Sequence, residues 1–343
     1  MYVRRSFKVP HMLADSCRDL GIVLVWTVLV IVLFEVGGYS ALVLPVLPVT
    51  LIGIAVSLNL GFKSTSSYDR WWEARKQLGL LVVDSRTWAT QVNSLIYDAT
   101  RLATDELRKE LIYRQLAYVH AVAYQLRRTS RLKTGGPKRI FARRRIVDSA
   151  SVLLADPEVF ARFLTPEEYA AAGSMNNPAT YLVRRQGERL RDLAREGLLD
   201  SVRQTTMMDV LADMDLAQGK CERIKNTPFP RQIAHFGTAF TWIFVLLLPL
   251  ALLEVFEREA VQHNLSTIAT HRYMYTMLPF ALLISWVFLT IEKISDSTED
   301  PFEGGVHDVP VSASCRTIEI DLKQALGETE LPPPFEPVDD VLY

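Results

Sequence analysis

Four long apolar runs, separated by strongly polar sequence, dominate the pattern of residues along the chain. Two of them lie near the N-terminus and two lie far downstream. A helix needs about 20 predominantly apolar residues to cross a membrane, and each run is long enough to do so. The pattern therefore predicts four membrane passes, at about residues 20–36, 45–66, 232–254 and 272–292. The glycines and prolines of residues 37–48 predict the turn between the first two passes.

Basic residues flank the passes on one side, which predicts how the chain is oriented. Cytoplasmic flanks are enriched in lysine and arginine. The relevant flanks carry Arg4, Arg5, Lys8, Arg18, Lys63, Arg70, Arg75, Lys76, Arg223, Lys225, Arg231 and Lys293. All of these flanks lie on one side of a four-pass chain. We therefore expect a multi-pass protein of the cell membrane (the inner membrane in a Gram-negative bacterium) with both termini in the cytoplasm.

The remaining sequence predicts helices outside the membrane, at about residues 67–231 and 293–325. Leu107, Leu111, Leu116 and Val119 recur at helical spacing between charged residues. Thr165 precedes Pro166 in the pattern of a helix start. Residues 184–224 favour one continuous helix. The predicted fold class is therefore all-α, with one domain at residues 1–325 followed by an acidic, proline-rich tail at residues 326–343.

Two polar segments are expected to be less regular. Nine lysine and arginine residues fall between Arg127 and Arg145. A solvated basic loop is the preferred interpretation, and a surface for anionic lipid headgroups is the alternative. The tail is expected to be extended over a surface or disordered.

Composition adds limits on partners and redox state. A mean hydropathy of +0.11 together with 22% charged residues fits alternating membrane and polar segments. The formal net charge of −1 gives no argument for a nucleic-acid partner. Cys17, Cys221 and Cys315 are widely spaced and odd in number, so we expect free thiols instead of a disulfide framework.

Enzymatic motifs are absent from the sequence. It contains no GxSxG, HExxH, P-loop or GxGxxG pattern, so we expect neither an enzyme nor a cofactor. Glu299, Asp300 and Glu303 are weak candidates for binding a hard cation. Their spacing lacks an EF-hand register, and we expect a solvated turn and no metal site.

The second pass is the best candidate for lining a channel. Ile54, Leu58 and Phe62 form an apolar stripe, while Ser57 and Asn59 add polar side chains at membrane depth. Rings of apolar side chains can gate a pore by excluding water. Periodicity alone leaves open that the stripe faces lipid.

Specific motifs then resemble one family. "LGFKSTSSYDRWWEARKQLG" resembles the segment after the second pass of bestrophins, with its Gly-Phe followed by Arg-Trp-Trp. "CERIKNTPFP", "EDPFEGG" and "CRTIEIDLKQALGE" resemble later bestrophin segments, the first and last as they occur in prokaryotic members. These matches follow one another in the family's order across nearly the whole chain.

The resemblance implies a homopentameric ion channel with one central pore. Animal members are calcium-activated chloride channels, plant members are anion channels, and some prokaryotic relatives conduct cations. The family's three neck positions fall on Ile54, Leu58 and Phe62. Family members have aromatic or isoleucine side chains at these positions, and Leu58 is smaller than phenylalanine, which leaves room for a somewhat wider neck. The cytoplasmic aperture falls on Thr205, or on Met208 if the helix is offset by a turn.

Two further expectations concern gating and helix placement. Only Glu303 and Asp308 remain of the acidic run that forms the calcium clasp of animal members, so we expect conduction that does not depend on calcium. Arg70, Trp71 and Trp72 are expected to anchor the end of the second pass, since indole rings favour the membrane interface. A part in gating is equally open.

The most favoured function is passive conduction of small ions, chloride first, by a homopentamer surrounded by membrane lipids. A cation-selective channel is the main alternative. A non-conducting membrane scaffold and a secondary transporter also remain open.

Overall fold

The computed structural model describes residues 1–4, 9–96, 101–127, 158–263, 266–338 and 340–343. At residues 9–15, 40, 101–103 and 267 the backbone alone is described. Within these ranges the regular secondary structure is helical, with a 3-10 turn at Ser40–Leu42 and isolated bridges in place of strands. The α-helices are α1 Val9–Glu35, α2 Val46–Leu95, α3 Arg101–Arg127, α4 Glu158–Ala161, α5 Pro166–Gly173, α6 Pro178–Arg195, α7 Ser201–Asn226, α8 Arg231–Gln262, α9 Thr267–Met274, α10 Met277–Thr298 and α11 Val311–Ala325.

The all-α prediction with four membrane passes is confirmed. Helical stretches long and apolar enough to cross a membrane occupy Ser16–Glu35, Val46–Leu95, Arg231–Gln262 and Ile268–Thr298. Helix α2 continues far beyond residue 66, where the apolar run ends. No proline and only one glycine follow within it, so nothing in the backbone chemistry ends the helix at the membrane boundary.

The chain forms two compact units. Unit 1 comprises Met1–Arg4, Arg70–Pro228 and Asp300–Tyr343, and unit 2 comprises Arg5–Asp69 and Phe229–Glu299. Helix α2 contributes its first half to unit 2 and its second half to unit 1.

Unit 2 has a thin apolar core and a largely apolar exterior. Val56 and Leu60 of α2 pack with Phe244 of α8 and Leu289 of α10. Many large apolar side chains of the same helices remain exposed, among them Leu51, Phe236, Phe240, Phe280 and Leu283. Such an exterior fits lipid or another apolar partner and not water.

Unit 1 has the core of a water-soluble domain. Trp88 of α2, Leu190 of α6 and Ile318 of α11 are buried in one cluster. The four residues predicted from helical spacing are buried in α3, as the pattern requires: Leu107, Leu111, Leu116 and Val119.

The predicted helix over residues 184–224 is wrong in one respect, because it is broken into α6 and α7. Gly197 adopts a left-handed φ of 76°, and the Leu198 amide donates to the Leu193 carbonyl at 3.0 Å. This is the hydrogen bonding of a glycine-terminated helix. Asp200 then caps α7 by accepting hydrogen bonds from the Val202 and Arg203 amides.

The predicted start of α5 is confirmed. Thr165 is the N-cap, its hydroxyl accepts a hydrogen bond from the Glu168 amide at 3.3 Å, and Pro166 is the first helical residue.

The tail is extended along unit 1 over its described residues. The Arg316 guanidinium lies 4.6 Å from the Phe335 ring centre, Val341 bridges to Tyr2, and the Ala313 amide donates to the Tyr343 carbonyl. The basic segment predicted between Arg127 and Arg145 lies, beyond Arg127, outside the described residues.

Candidate pore-lining residues

The apolar stripe predicted on the second pass is exposed on α2. Ile54, Leu58 and Phe62 are 53%, 61% and 73% exposed, while Val56 and Leu60 on the opposite face are buried. Nothing in the described part of the chain covers these three side chains. The stripe is therefore free to face lipid, another copy of the chain or a pore.

The first half of α2 meets the rest of unit 2 at close range. A Cβ placed on Gly53 would lie 2.7 Å from Cε2 of Phe244 on α8. Only glycine fits this approach without a shift of the ring. The Ser57 hydroxyl donates to the Gly53 carbonyl at 2.8 Å, so its polar group is satisfied within the helix.

A carboxylate of α8 caps the start of α2. The Val46 amide donates to Oε2 of Glu254 at 2.5 Å, which satisfies one of the free amides of the first turn and places a negative charge at the positive end of the helix. In the sequence Glu254 stands only as an acidic residue at the end of the third predicted pass. No local pattern relates it to Val46, 208 positions away.

Arg70, Trp71 and Trp72, which the sequence predicts to anchor the end of the second pass, lie at the start of the part of α2 that belongs to unit 1. Nη2 of Arg70 donates to the Ile224 carbonyl in the last turn of α7 at 2.6 Å. This is a favourable place for a cation, at the negative end of a helix. Nε1 of Trp71 donates to the His307 carbonyl at 2.9 Å. Trp72 stacks on Trp71, with ring centres 6.4 Å apart, and remains exposed.

The two candidate aperture residues lie on the exposed face of α7. Thr205 is exposed and its hydroxyl donates to the Ser201 carbonyl at 2.9 Å. Met208 is 42% exposed, and its Sδ and Cε lie 3.5 Å from the position of a Cβ on Gly187 of α6. Both residues belong to unit 1, whereas the neck candidates belong to unit 2. Asp209 and Asp213 are also exposed on α7.

The acidic turn after α10 is engaged by the chain's own cations. Oδ1 of Asp300 lies 4.0 Å from Nη2 of Arg70, and Oε1 of Glu303 accepts a hydrogen bond from Nζ of Lys225 at 2.6 Å. Oδ2 of Asp308 accepts the Gly304 amide at 2.6 Å, and burial raises the pKa of this carboxyl above its usual value. Among the described residues, Glu299 included, no group of three or more side chains is arranged to hold a metal ion.

Comparison with known proteins identifies the family. The model of the bacterial and fungal bestrophin proteins matches residues 12–324. The chain belongs to the bestrophin family. The resemblance drawn from the Arg-Trp-Trp segment is thereby confirmed.

Relatives and solved structures agree with this assignment. A voltage-dependent anion channel-forming protein of Mesorhizobium japonicum is 30% identical over 86% of this chain and 79% of its own length. A protein of the same description from Escherichia coli K12 is 27% identical over 83% of this chain and 78% of its own. A bacterial bestrophin homologue of Klebsiella pneumoniae has the same fold, with a TM-score of 0.73, 23% identity and coverage of 91% of this chain and 98% of its own.

Proposed function

We propose that this bestrophin forms a homopentameric channel that conducts small anions, chloride first, passively across the cell membrane. The exposed apolar stripe of α2 carries the proposal. Ile54, Leu58 and Phe62 are uncovered within the chain, and five copies around an axis would close them into a narrow apolar neck. Such a ring resists ions while it is dry and conducts when it is wetted. The printed names of the curated relatives, anion channel-forming proteins, favour anions.

In this proposal α7 contributes the cytoplasmic aperture. Thr205 is the favoured constriction and Met208 the alternative, and both are exposed on one helix. A threonine ring would dehydrate an ion less than an aliphatic ring would. The side chains of the neck carry no charge. In this proposal charged groups in the wider vestibules of the pore therefore select between anions and cations.

One observation favours cations as the second candidate. Asp209 and Asp213 are exposed on the same helix as Thr205, and rings of carboxylates attract cations. The exposed carboxylates of α7 therefore favour a cation channel, whereas the similarity to anion channel-forming relatives favours an anion channel.

The reversal potential across a planar bilayer under a steep KCl gradient distinguishes these candidates. An anion channel reverses near the chloride equilibrium potential. Reversal near the potassium potential would overturn the chloride assignment and establish the cation channel. Absence of current with intact pentamers would indicate a scaffold, and slow, saturable and coupled flux would indicate a secondary transporter.

Conduction is proposed to be independent of calcium. Asp300 and Glu303 already face Arg70 and Lys225, so a calcium ion would have to displace protein cations to use these carboxylates. Currents should be the same with calcium and with a chelator. A large calcium-dependent increase would contradict this part of the proposal.

The proposed orientation puts both termini and unit 1 in the cytoplasm. It rests on the basic flanks of the four passes, and reporter fusions to residue 343 and to residue 263 test it. A cytoplasm-active reporter should work only at residue 343. Activity at residue 263 alone would reverse the orientation.

A further inference from the structure

The buried face of α2 carries a charged side chain within unit 2. The Lys63 side chain is 0% exposed, and its Nζ lies 3.2 Å from Oε1 of Glu292 on α10, whose side chain is 11% exposed. Both residues lie at the polar end of a predicted membrane pass. A buried charge is costly unless it is paired, and removal of one partner leaves the other uncompensated.

A third membrane helix joins the pair. The Thr238 hydroxyl of α8 donates to the same Oε1 of Glu292 at 2.6 Å. One carboxylate oxygen therefore ties α2, α8 and α10 together. We call Lys63, Glu292 and Thr238 the carboxylate cluster.

Glycine at position 237 lets α8 approach α2 beside this cluster. A Cβ there would lie 3.0 Å from Oδ1 of Asn59 and 3.8 Å from Cδ of Lys63. Oδ1 of Asn59 is itself buried without a hydrogen-bond donor among the described residues. The buried face of α2, where Asn59 and Lys63 lie, is thus closely fitted to α8, in contrast to the exposed apolar stripe.

The cluster and the neck candidates are linked by helix geometry. At 3.6 residues per turn, Lys63 lies about 140° around the helix from Leu58 and about 100° from Phe62. A rotation of α2 that removed Lys63 from Glu292 would therefore turn the apolar stripe by the same angle.

We infer that the carboxylate cluster is a positioning device that fixes the rotation of α2 and thereby presents Leu58 and Phe62 to the pore. The contacts within unit 2 are the reason that the cluster can fix the rotation of α2. The effect on a pore rests on the proposed channel function. Lys63 and Glu292 act through α2 and contact no permeating ion.

The test combines thiol labelling with currents. Single cysteines at Leu58 and Val56 report which face of α2 is open, in a Cys17→Ser background. Cys221 and Cys315 stay in place, because both are buried and burial raises the pKa of each thiol to about 12, which keeps them unreactive. A small charged thiol reagent should label Leu58→Cys much faster than Val56→Cys.

Lys63→Met keeps the length of the side chain and removes its charge. We expect it to lower the ratio of the two labelling rates by about tenfold, equivalent to about 1.4 kcal/mol, and to change the unitary conductance. Lys63→Arg should restore both. The matched control is Lys293→Met, at the next position of α10, whose ion pair with Asp19 is more exposed; it should change neither.

Unchanged labelling and conductance in Lys63→Met would reduce the cluster to a stabilising contact and overturn the inference. If Lys63→Met does not assemble, Thr238→Val tests the same point, because it removes one hydrogen bond and no charge. Failure of the wild-type protein to pass ions would overturn the proposed function alone, and the labelling ratios would still decide whether the cluster sets the rotation of α2.

Discussion

Units 1 and 2 both enclose apolar side chains but differ in what their surfaces expose. Unit 1 encloses Trp88 and Leu116 in an apolar core, as water requires. Unit 2 has an apolar core too, yet it leaves Leu58 and Phe280 exposed and buries Lys63 against Glu292. Helix α2 takes part in both units along one continuous backbone. The surroundings of each segment, and not its secondary structure, therefore decide which side chains it can leave exposed.

The sharpest way to break this comparison is to truncate an apolar side chain of α2 in each unit. Trp88 is fully buried, so Trp88→Ala should lower the free energy of unfolding by about 3–5 kcal/mol. Leu58→Ala, at an exposed position, should change it by about 0.5 kcal/mol or less. Denaturation of the purified protein in detergent measures both. Equal losses would mean that Leu58 is packed as a core residue.

The second prediction concerns acid stability, which should be limited by unit 1. His120 is buried, its ring stacks on Phe163, and burial together with Arg162 and Arg316 lowers its pKa to about 3. In the unfolded chain the imidazole binds a proton below about pH 6.5, whereas in the folded protein it stays neutral to about pH 3. Stability should therefore fall as the pH drops from 6.5 towards 3.

His120→Phe tests this assignment, because the ring stacking is kept and the titration is removed. Melting temperatures of the two proteins between pH 7 and pH 4 should converge as the pH falls, or cross in favour of the variant. A parallel acid loss in both proteins would assign the acid sensitivity to other groups.

A smaller effect is expected at the cap of α5 in unit 1. Thr165→Ala removes the acceptor of the Glu168 amide and should cost about 1 kcal/mol. Thr317→Ala is the control, since the Thr317 hydroxyl donates to a carbonyl within α11 and is exposed. Hydrogen exchange of the α5 amides should quicken in the first variant alone. Unchanged hydrogen exchange in Thr165→Ala would mean that the cap does not stabilise α5.

The smallest effect should come from an exposed ion pair on α2. Nζ of Lys76 lies 2.6 Å from Oε2 of Glu73, in unit 1. Exposed pairs contribute about 0–1 kcal/mol, so Lys76→Met should hardly change the melting temperature, whereas Lys63→Met in unit 2 should lower it clearly. Similar shifts in the two variants would remove the contrast between buried and exposed charge on this helix.

Much of the fold follows from local pattern, and its main departure from the prediction is a helix break that the local pattern signals only weakly. Apolar length predicted the four passes, and spacing predicted the buried face of α3. The break between α6 and α7 was missed, although Gly197 is the residue that allows it. Residues 184–224 contain three glycines, and Gly187 and Gly219 lie inside helices, so a glycine in this sequence is a weak signal for a break.

In the candidate site, too, some residues could be predicted from the sequence and others could not. The stripe of Ile54, Leu58 and Phe62 is periodic, so the sequence predicted it, and the bestrophin resemblance suggested its role. Glu254 at the start of α2 and Glu292 beside Lys63 could not be predicted, because 208 and 229 positions separate the partners. From the sequence alone, Lys63 is one of the basic residues that flank the passes.

The most direct test of the central claim is the unitary conductance of the combined Ile54→Ala, Leu58→Ala and Phe62→Ala variant in a planar bilayer. If the exposed stripe of α2 forms the neck, smaller side chains widen and wet the constriction, and the conductance rises above that of the wild-type protein. An unchanged conductance from an assembled pentamer would mean that the stripe faces lipid, and would contradict the account.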